Sequence, residues 1–124
     1  MITGLGIDII EVHRVLEKVS KNNGFTEKIF SPAEVEFCNA QANKAEHFAA
    51  RFAAKEAFLK ATGLGLMLGH NLADIEIVHD NMGKPCIELK GSIKVEALKN
   101  NWNKIHLSVS HLQATACAVV IIEQ

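Results

Sequence analysis

Alternation between apolar and polar positions dominates the second half of the chain. The stretches "ADIEIVHD" (73–80) and "CIELK" (86–90) place apolar residues at every second position, which predicts two half-buried strands. The turn sequence "NMGKP" between them predicts a hairpin. The stretch "KIHLSVSH" (104–111) alternates in the same way, whereas "ATACAVVIIE" (114–123) is almost continuously apolar. The last pattern is expected of a strand in the centre of a sheet.

The first half of the chain opens with a β-rich stretch and then changes its periodicity. "ITGLGIDI" (2–9) predicts a strand that ends near Asp8. Apolar residues then recur at spacings of three and four, which predicts an amphipathic helix with a buried stripe at Ile9, Val12, Leu16 and Val19. The asparagines and glycine of "NNGF" (22–25) are expected to break this helix.

Capping signals delimit two further helices. Ser31 suits an N-cap, Pro32 suits the first helical position, and Glu34 completes a capping box. The stretch "SPAEVEFC" is therefore predicted to open a helix. A longer helix is predicted from about residue 43 to residue 62, with Gly63 capping its end.

The order of these elements indicates the fold class. The glycine-rich stretch 63–71 predicts a loop, and residues from about 92 to 101 predict a short helix. Helices cluster in the first half of the chain and strands in the second. This order predicts an α+β fold with a mainly antiparallel sheet packed against the long helix. At 124 residues, the chain is expected to form a single domain over residues 1–124.

Composition narrows the function classes. Hydrophobic residues make up 48% of the chain and charged residues 22%, which is typical of a folded soluble protein. The net charge of −1 argues against a global electrostatic grip on nucleic acid. No apolar run is long enough to span a bilayer, and the N-terminus lacks the basic region of a signal peptide. Three cysteines without a CxxC pair predict reduced, buried thiols, and we expect a cytoplasmic location.

Asp8 is a charge among apolar residues. It lies between Ile7 and Ile9, where a carboxylate is costly unless it is paired or binds a cation. An aspartate at a strand-to-helix junction is also a good helix N-cap. Taken alone, Asp8 is interpreted as an N-cap ahead of a metal ligand, although one carboxylate can serve both roles.

Glu56 raises a similar question on the long helix. Residues at steps of four share one helix face, and Glu56 follows Phe48 and Phe52 and precedes Lys60 on that face. It either points into a site or forms an i, i+4 ion pair with Lys60, and helix geometry alone leaves both readings open.

Asp8 and Glu56 together would form a sparse oxygen site of the kind that Mg²⁺ accepts when a phosphate completes its shell. Arg51, Lys55 and Lys60 lie close enough in sequence to help hold that phosphate.

Other motifs carry weaker signals. "GLGID" (4–8) and "GLGLMLG" (63–69) lack the context of a dinucleotide fingerprint, so tight packing and turns explain them better. "SVSH" (108–111) permits a Ser–His nucleophile pair, a phosphate contact from His111 or a turn-closing histidine, and the last is preferred for the motif alone. A basic stripe on the first predicted helix, spaced i, i+4, i+7, consists of Arg14, Lys18 and Lys21. It is either a solvated face or a docking surface for an acidic partner.

Taken in order, the motifs resemble those of one known family. "GIDIIEVHRV" (6–15) and "RFAAKEAFLKA" (51–61), followed by "GLG", "DIEI", "GKP" and "SVSH", are similar to the bacterial holo-[acyl-carrier-protein] synthases, the small trimeric 4′-phosphopantetheinyl transferases. The resemblance covers essentially the whole chain. It implies a 4′-phosphopantetheinyl transferase-like fold and transfer of the 4′-phosphopantetheine arm of coenzyme A to a serine of apo acyl carrier protein, in fatty acid biosynthesis.

The resemblance also implies roles for individual residues. Asp8 and Glu56 match the Mg²⁺ ligands, and Lys60 matches a catalytic lysine near the diphosphate. Further matches, to residues near the coenzyme A nucleotide and phosphates, are Arg51, Gly83, Lys84, Pro85 and His111. Arg14 matches a residue that faces the carrier protein, and the basic stripe adds Lys18 and Lys21 to that surface. The family implies a homotrimer with its sites at subunit interfaces.

Three alternatives remain at this point. An Mg²⁺-dependent nucleotide hydrolase would use the same carboxylates with water as the nucleophile. A binding module without activity would use the basic stripe alone, and a purely structural oligomer would use neither.

Overall fold

The computed structural model describes residues 1–64 and 69–124. Its strands are β1 (Ile2–Glu11), β2 (Ile75–His79), β3 (Pro85–Leu89), β4 (Lys104–His111) and β5 (Thr115–Glu123). Its helices are α1 (Val12–Ser20), α2 (Phe25–Ile29), α3 (Pro32–Asn39), α4 (Lys44–Thr62) and α5 (Gly91–Lys99). A single 3-10 turn at Leu72–Asp74 precedes β2. Residues 65–68 of the predicted glycine-rich loop lie outside the described residues.

The main sheet has three antiparallel strands in the order β1-β5-β4. β5 is central, as its continuous apolar sequence predicted. The 19-residue helix α4 packs across one face of this sheet. Residues Ala57 and Phe58 of the helix and Val120 and Ile122 of β5 belong to the same buried core cluster. The predicted α+β class, with an antiparallel sheet packed against a long helix, is confirmed.

A second, two-stranded sheet is the predicted hairpin of β2 and β3, with His79 paired to Pro85 beside the turn. The helix predicted near residues 92–101 is α5. The capping box at the start of α3 is also confirmed, because Ser31 accepts a hydrogen bond from the Glu34 amide and Glu34 accepts one from the Ser31 amide. Gly63 ends α4 in the left-handed conformation, with φ of 71°.

The first strand is longer than predicted. β1 continues through Glu11, and residues Ile9 and Ile10 pair with Cys117 and Ala116 of β5. The predicted helix stripe that began at Ile9 was therefore wrong, since Ile9 belongs to the strand. β-branched isoleucines favour the extended ladder when a partner strand is available, and that partner lies more than 100 residues away in sequence.

The longer strand also overturns the N-cap interpretation of Asp8. α1 begins at Val12, and its N-cap residue is Glu11, which makes no side-chain capping hydrogen bond. The buried residues of α1 are Val12 and Val15. Helix α2, which follows Gly24, was not predicted, because its five residues are too few to show a helical period.

Two glycines bring α4 against β1. A Cβ atom at Gly4 would overlap the carbonyl oxygen of Ala61, and one at Gly6 would overlap that of Ala57. Tight packing is therefore the correct interpretation of "GLGID". Side chains alternate along a strand, so Asp8 lies on the same face of β1 as these glycines and is directed toward α4.

The opposite face of the main sheet is apolar and open to solvent in the single chain. Leu5, Ile7 and Ile9 are 66%, 62% and 71% exposed. Val119 and Ile121 of β5 lie beside them and are only partly buried. A continuous apolar patch of this kind is typical of a protein–protein contact.

The cysteines are free, as predicted, but they are not equally buried. Cys38 is buried, and burial raises the pKa of its thiol to about 11. Cys86 and Cys117 are only partly buried, so the prediction of three buried thiols was wrong for two of them. None of the described helices combines the length and apolar character needed to cross a membrane.

Candidate active site

Asp8 and Lys60 meet where β1 crosses α4. The Lys60 ammonium lies 3.1 Å from Asp8 Oδ1 and 3.0 Å from the carbonyl oxygen of Ile7, and it donates a hydrogen bond to each. The predicted alternative of a Glu56–Lys60 ion pair is not what forms. Lys60 pairs with the strand, and Glu56 is left free of that partner.

Glu56 lies one helical turn before Lys60 and lines a cavity of about 500 Å³ together with Asp8. Burial and the neighbouring Asp8 carboxylate raise the pKa of Glu56 above its ordinary value, while the charges of Lys60 and Lys18 oppose this shift. Phe52 lines the same cavity one turn earlier, as the spacing of four predicted. The structure therefore brings together two acids that are 48 residues apart in sequence.

Basic residues of α1 form another wall of this cavity. Arg14 and Lys18 line it, and Lys18 is close enough to influence Glu56. Arg14 also pairs with Glu11 at 3.4 Å. Lys21 is exposed at the C-terminal end of α1 and does not line the cavity. Two of the three basic residues predicted to meet a partner are thus beside the two acids, and the third is farther along the same helix.

The two acids can serve as metal ligands only in a sparse site. Within residues 1–64 and 69–124, no three side chains of the His, Cys, Asp and Glu types cluster as a metal-binding group. Two carboxylates on adjoining elements are nevertheless the protein ligand set that Mg²⁺ uses when water and a phosphate supply the other positions. The residues present fit a hard divalent cation.

A second cluster forms around Arg51 on another side of α4. Arg51 is 5% exposed, and its guanidinium lies over the ring of Phe37 at 4.3 Å. Its Nε atom is buried and has no hydrogen-bond partner among the described residues. His47 meets His111 edge to face, with ring centroids 5.2 Å apart, and burial and the Arg51 charge lower the pKa of His47.

His111 pairs with an acid that the sequence did not reveal. Its Nδ1 atom lies 2.8 Å from Oε1 of Glu46, which is 65 residues away in the chain. Ser108 and Ser110 occupy the opposite face of β4, because side chains alternate along the strand. A Ser–His nucleophile pair within "SVSH" was therefore a wrong alternative, whereas the phosphate-contact and turn-closing roles of His111 stay predictions.

The "GKP" turn lies beside this second cluster. Asp80 organises the turn by accepting hydrogen bonds from the amides of Met82 and Lys84, and Gly83 adopts φ of 82°. His79, paired with Pro85 in the hairpin, stacks against Phe37 with ring centroids 4.7 Å apart. Ring contacts of Phe37, His47 and His79 thus connect Arg51 and His111 to the hairpin that carries Gly83, Lys84 and Pro85.

The two clusters do not form one site within the chain. Arg51 and Glu56 are five residues apart on α4, and at about 100° per residue their side chains diverge by about 140°. A single copy therefore presents two half-sites on different sides of the long helix.

Lys55 does not hold a phosphate, contrary to the prediction. Its side chain is fully buried, and its ammonium donates hydrogen bonds of 2.8 Å to Glu34 Oε1 and to the carbonyl oxygens of Leu72 and Ile75. Glu34 also accepts a hydrogen bond from the Ile77 amide. Burial lowers the pKa of Lys55, and the Glu34 charge opposes this shift. Lys55 is a structural residue that joins α3, α4 and β2.

Comparison with known proteins places the chain in a family. Residues 4–120 match the model of the 4′-phosphopantetheinyl transferase superfamily. The chain is 43% identical to the holo-[acyl-carrier-protein] synthase of Syntrophus aciditrophicus, over 99% of this chain and 97% of that protein. It also resembles a crystal structure of the synthase from Neisseria meningitidis, with a TM-score of 0.90 and 30% identity over the full length of both chains.

A third relative carries a ligand. The synthase from Bacillus anthracis, solved in complex with coenzyme A (3′,5′-ADP), matches with a TM-score of 0.79 and 34% identity, over 98% of this chain and 96% of that chain. The predicted enzyme class, a phosphopantetheinyl transferase, is confirmed by these relationships. The chain belongs to the 4′-phosphopantetheinyl transferase superfamily, the family that its motifs predicted.

Proposed function

We propose that this chain moves the 4′-phosphopantetheine arm of coenzyme A onto a serine of apo acyl carrier protein and releases adenosine 3′,5′-bisphosphate. The proposal extends to this chain the activity that gives its 43%-identical relative its name. The observation that carries it is the meeting of Asp8 and Glu56 around one cavity, with Lys60 between strand and helix. We place the reaction in fatty acid biosynthesis and in the cytoplasm.

Asp8 and Glu56 are the residues that we assign to Mg²⁺. Their carboxylates are hard oxygen ligands, and the cavity beside them has room for a diphosphate and water. The ion would neutralise charge on the diphosphate as the bond between the two phosphates breaks. Glu56 already carries a raised pKa beside Asp8, so a cation between the two acids would relieve their mutual repulsion.

Lys60, Lys18 and Arg14 are suited to hold the two substrates at this cavity. The ammonium of Lys60 is half exposed and can reach a phosphate oxygen while its stem stays against β1. Arg14 and Lys18 carry positive charge at the mouth of the cavity, and Lys21 extends that charge along α1. An acidic carrier protein would be steered to this surface, and its serine would arrive next to the diphosphate.

The nucleotide end of coenzyme A is assigned to the second half-site. His111 and the turn from Gly83 to Pro85 offer donors to a phosphate and a surface for the base. Arg51 is buried against Phe37, so it would act through its charge and its orphaned Nε rather than as a freely exposed side chain. Glu46 holds the His111 ring in place through the contact of its Oε1 atom with Nδ1.

We propose that the half-sites of neighbouring copies combine in a homotrimer. The two half-sites are different patches on different sides of α4, and a heterologous contact whose rotation closes into a ring would join the unlike patches of neighbouring copies. The exposed apolar face of Leu5, Ile7 and Ile9 supplies the surface that such a contact would cover. The number three comes from the family resemblance.

The test is the mass of apo acyl carrier protein after incubation with this protein, coenzyme A and Mg²⁺. We expect one added phosphopantetheine per carrier and release of adenosine 3′,5′-bisphosphate. The Glu56→Gln variant should fold and lose at least about a hundredfold in transfer rate, since it removes one of the two charged ligands assigned to the Mg²⁺ that would neutralise the reacting diphosphate. Glu36→Gln, at an exposed glutamate of α3, is the matched control and should keep full activity.

Two results would contradict the proposal. Full activity in Glu56→Gln would exclude the metal role of this residue. Release of the bisphosphate at the same rate without any carrier protein would indicate the nucleotide hydrolase instead.

A further inference from the structure

Lys60 holds Asp8 at the point where the proposed site needs a cation. Its ammonium is 3.1 Å from Asp8 Oδ1. Among the described residues, no other side chain hydrogen-bonds or pairs with Asp8, and Glu56 has no such partner. Among the described residues, one ammonium group therefore binds this pair of acids, and it contacts one oxygen of Asp8.

This arrangement sets up a competition. A divalent cation that binds Asp8 has to share the carboxylate with a positive charge about 3 Å away, or has to displace it. The Asp8 side chain is only 16% exposed, so solvent screens the repulsion between the two cations less than it would at an open surface. Lys60 should therefore weaken the binding of a metal ion that arrives alone.

The lysine also has an alternative position. Its side chain is 56% exposed and flexible, and its second acceptor is the neutral carbonyl of Ile7. The oxygens of a diphosphate in the adjoining cavity carry full negative charge and are stronger acceptors. Asp8 lines that cavity, so rotation about the four-carbon stem of Lys60 would move its ammonium from the carboxylate toward such a group.

We propose that Lys60 couples the binding of metal and diphosphate: its ammonium competes for Asp8 until the diphosphate of coenzyme A draws it away. The inference rests on the proposed function, which assigns the metal to Asp8 and Glu56. By thermodynamic reciprocity, the metal then strengthens coenzyme A binding by the same factor as coenzyme A strengthens metal binding. Coenzyme A and the metal ion therefore each bind more tightly when the other is present.

The test measures binding rather than activity, with Mn²⁺ as the probe and electron paramagnetic resonance of the free ion as the readout. The full-length protein is freed of metals with a chelator and titrated with Mn²⁺, with and without saturating coenzyme A. The affinity of coenzyme A itself for Mn²⁺ is measured and subtracted. The variants are Lys60→Met, which removes the charge, Lys60→Arg, which keeps it, and Asp8→Asn.

We expect Lys60→Met to bind Mn²⁺ alone roughly three- to tenfold more tightly than the wild type, the effect of removing one partly screened charge. Lys60→Arg should stay near the wild-type value. The tightening of Mn²⁺ binding by coenzyme A should be smaller in Lys60→Met than in the wild type by a similar factor. Circular dichroism should show the same fold in all variants.

The outcomes separate the two proposals. If Mn²⁺ binding depends on Asp8 but is unchanged or weaker in Lys60→Met, the coupling role of Lys60 is overturned and the metal site stands. If Asp8→Asn binds Mn²⁺ as well as the wild type does, the metal site of the proposed function is overturned, and the inference with it.

Discussion

Helix α4 carries two lysines, five residues apart, that each pair with a carboxylate of another element. The two pairs differ in their burial and in the number of hydrogen bonds that each ammonium donates. Lys55 and Glu34 are both fully buried, 2.8 Å apart, and Lys55 has two further carbonyl acceptors. Lys60 and Asp8 are 3.1 Å apart, with the lysine more than half exposed. The first pair has every polar atom of the ammonium satisfied, whereas the second leaves one oxygen of the acid and the neighbouring Glu56 available.

The difference teaches how one helix can serve structure and function at once. A buried, fully bonded pair fixes the position of its elements, because moving either partner leaves a charge without a counterpart in the interior. A half-exposed pair costs little to open, so its partners can be exchanged for a ligand. Lys55 holds α4 against α3 and β2, and Lys60, a little more than one turn later, remains free to change partners.

Breaking the buried pair should have the largest effect. Lys55→Met leaves the Glu34 charge without its counter-ion in the core and removes a donor from two carbonyl oxygens, and we expect the free energy of unfolding to fall by about 3–5 kcal/mol. Urea denaturation followed by circular dichroism measures this loss. The double variant Lys55→Met with Glu34→Gln removes the orphaned charge and should recover part of the stability. A loss under about 1 kcal/mol in Lys55→Met would show that the pair does not fix the fold.

Breaking the exposed pair should have a much smaller effect on stability. Lys60→Met removes a partly solvated ion pair, and the free energy of unfolding should change by less than about 1 kcal/mol in the same urea experiment. The side-by-side measurement with Lys55→Met tests the comparison directly, since both substitutions replace lysine with methionine on one helix. Equal losses at the two positions would contradict the division into a structural and a functional pair.

The smallest expected effect is a gain that depends on pH. Because the pKa of Glu56 is raised in the folded protein, its protonated form favours folding, and that contribution is lost as the pH rises through the folded pKa. Above that pH, Glu56→Gln should be more stable than the wild type by about 0.2–0.5 kcal/mol, because it removes a charge that is costly to bury and that lies beside the Asp8 carboxylate.

The pH series provides the control for this gain. Thermal unfolding at pH 7 and pH 4 should show the advantage of Glu56→Gln at pH 7 and its decrease at pH 4, where Glu56 in the wild type becomes protonated. An advantage of the same size at both pH values would mean that the charge of Glu56 is not its source.

Much of the fold could be predicted because its signals are local. The capping box at Ser31, the C-cap at Gly63 and the alternation in the last two strands each depend on a few neighbouring residues, and each prediction is confirmed. The end of β1 was misplaced because it depends on pairing with β5, at the other end of the chain. The assignment of residues 1–124 to one domain stays a prediction.

The residues of the candidate site could be selected by type, but their contacts could not be predicted, and their functional roles stay predictions. Motifs selected Asp8, Glu56 and Lys60, yet spacing alone favoured an N-cap for Asp8 and could not decide the partner of Lys60. Lys55 was misread for the same reason. Its burial follows from Glu34, 21 residues earlier, and no pattern around Lys55 shows that a helix position rich in alanine faces an acid. The pairing of Glu46 with His111 likewise joins distant segments.

The contact of Gly4 and Gly6 with the backbone of α4 has a consequence for how this enzyme can vary. Main-chain atoms, rather than interchangeable apolar side chains, set the spacing between the strand that bears one acid and the helix that bears the other. Apolar side chains of the core can therefore be substituted during evolution without increasing the distance between the two carboxylates. A methyl group at either glycine would push β1 away from α4 and so move the two acids apart.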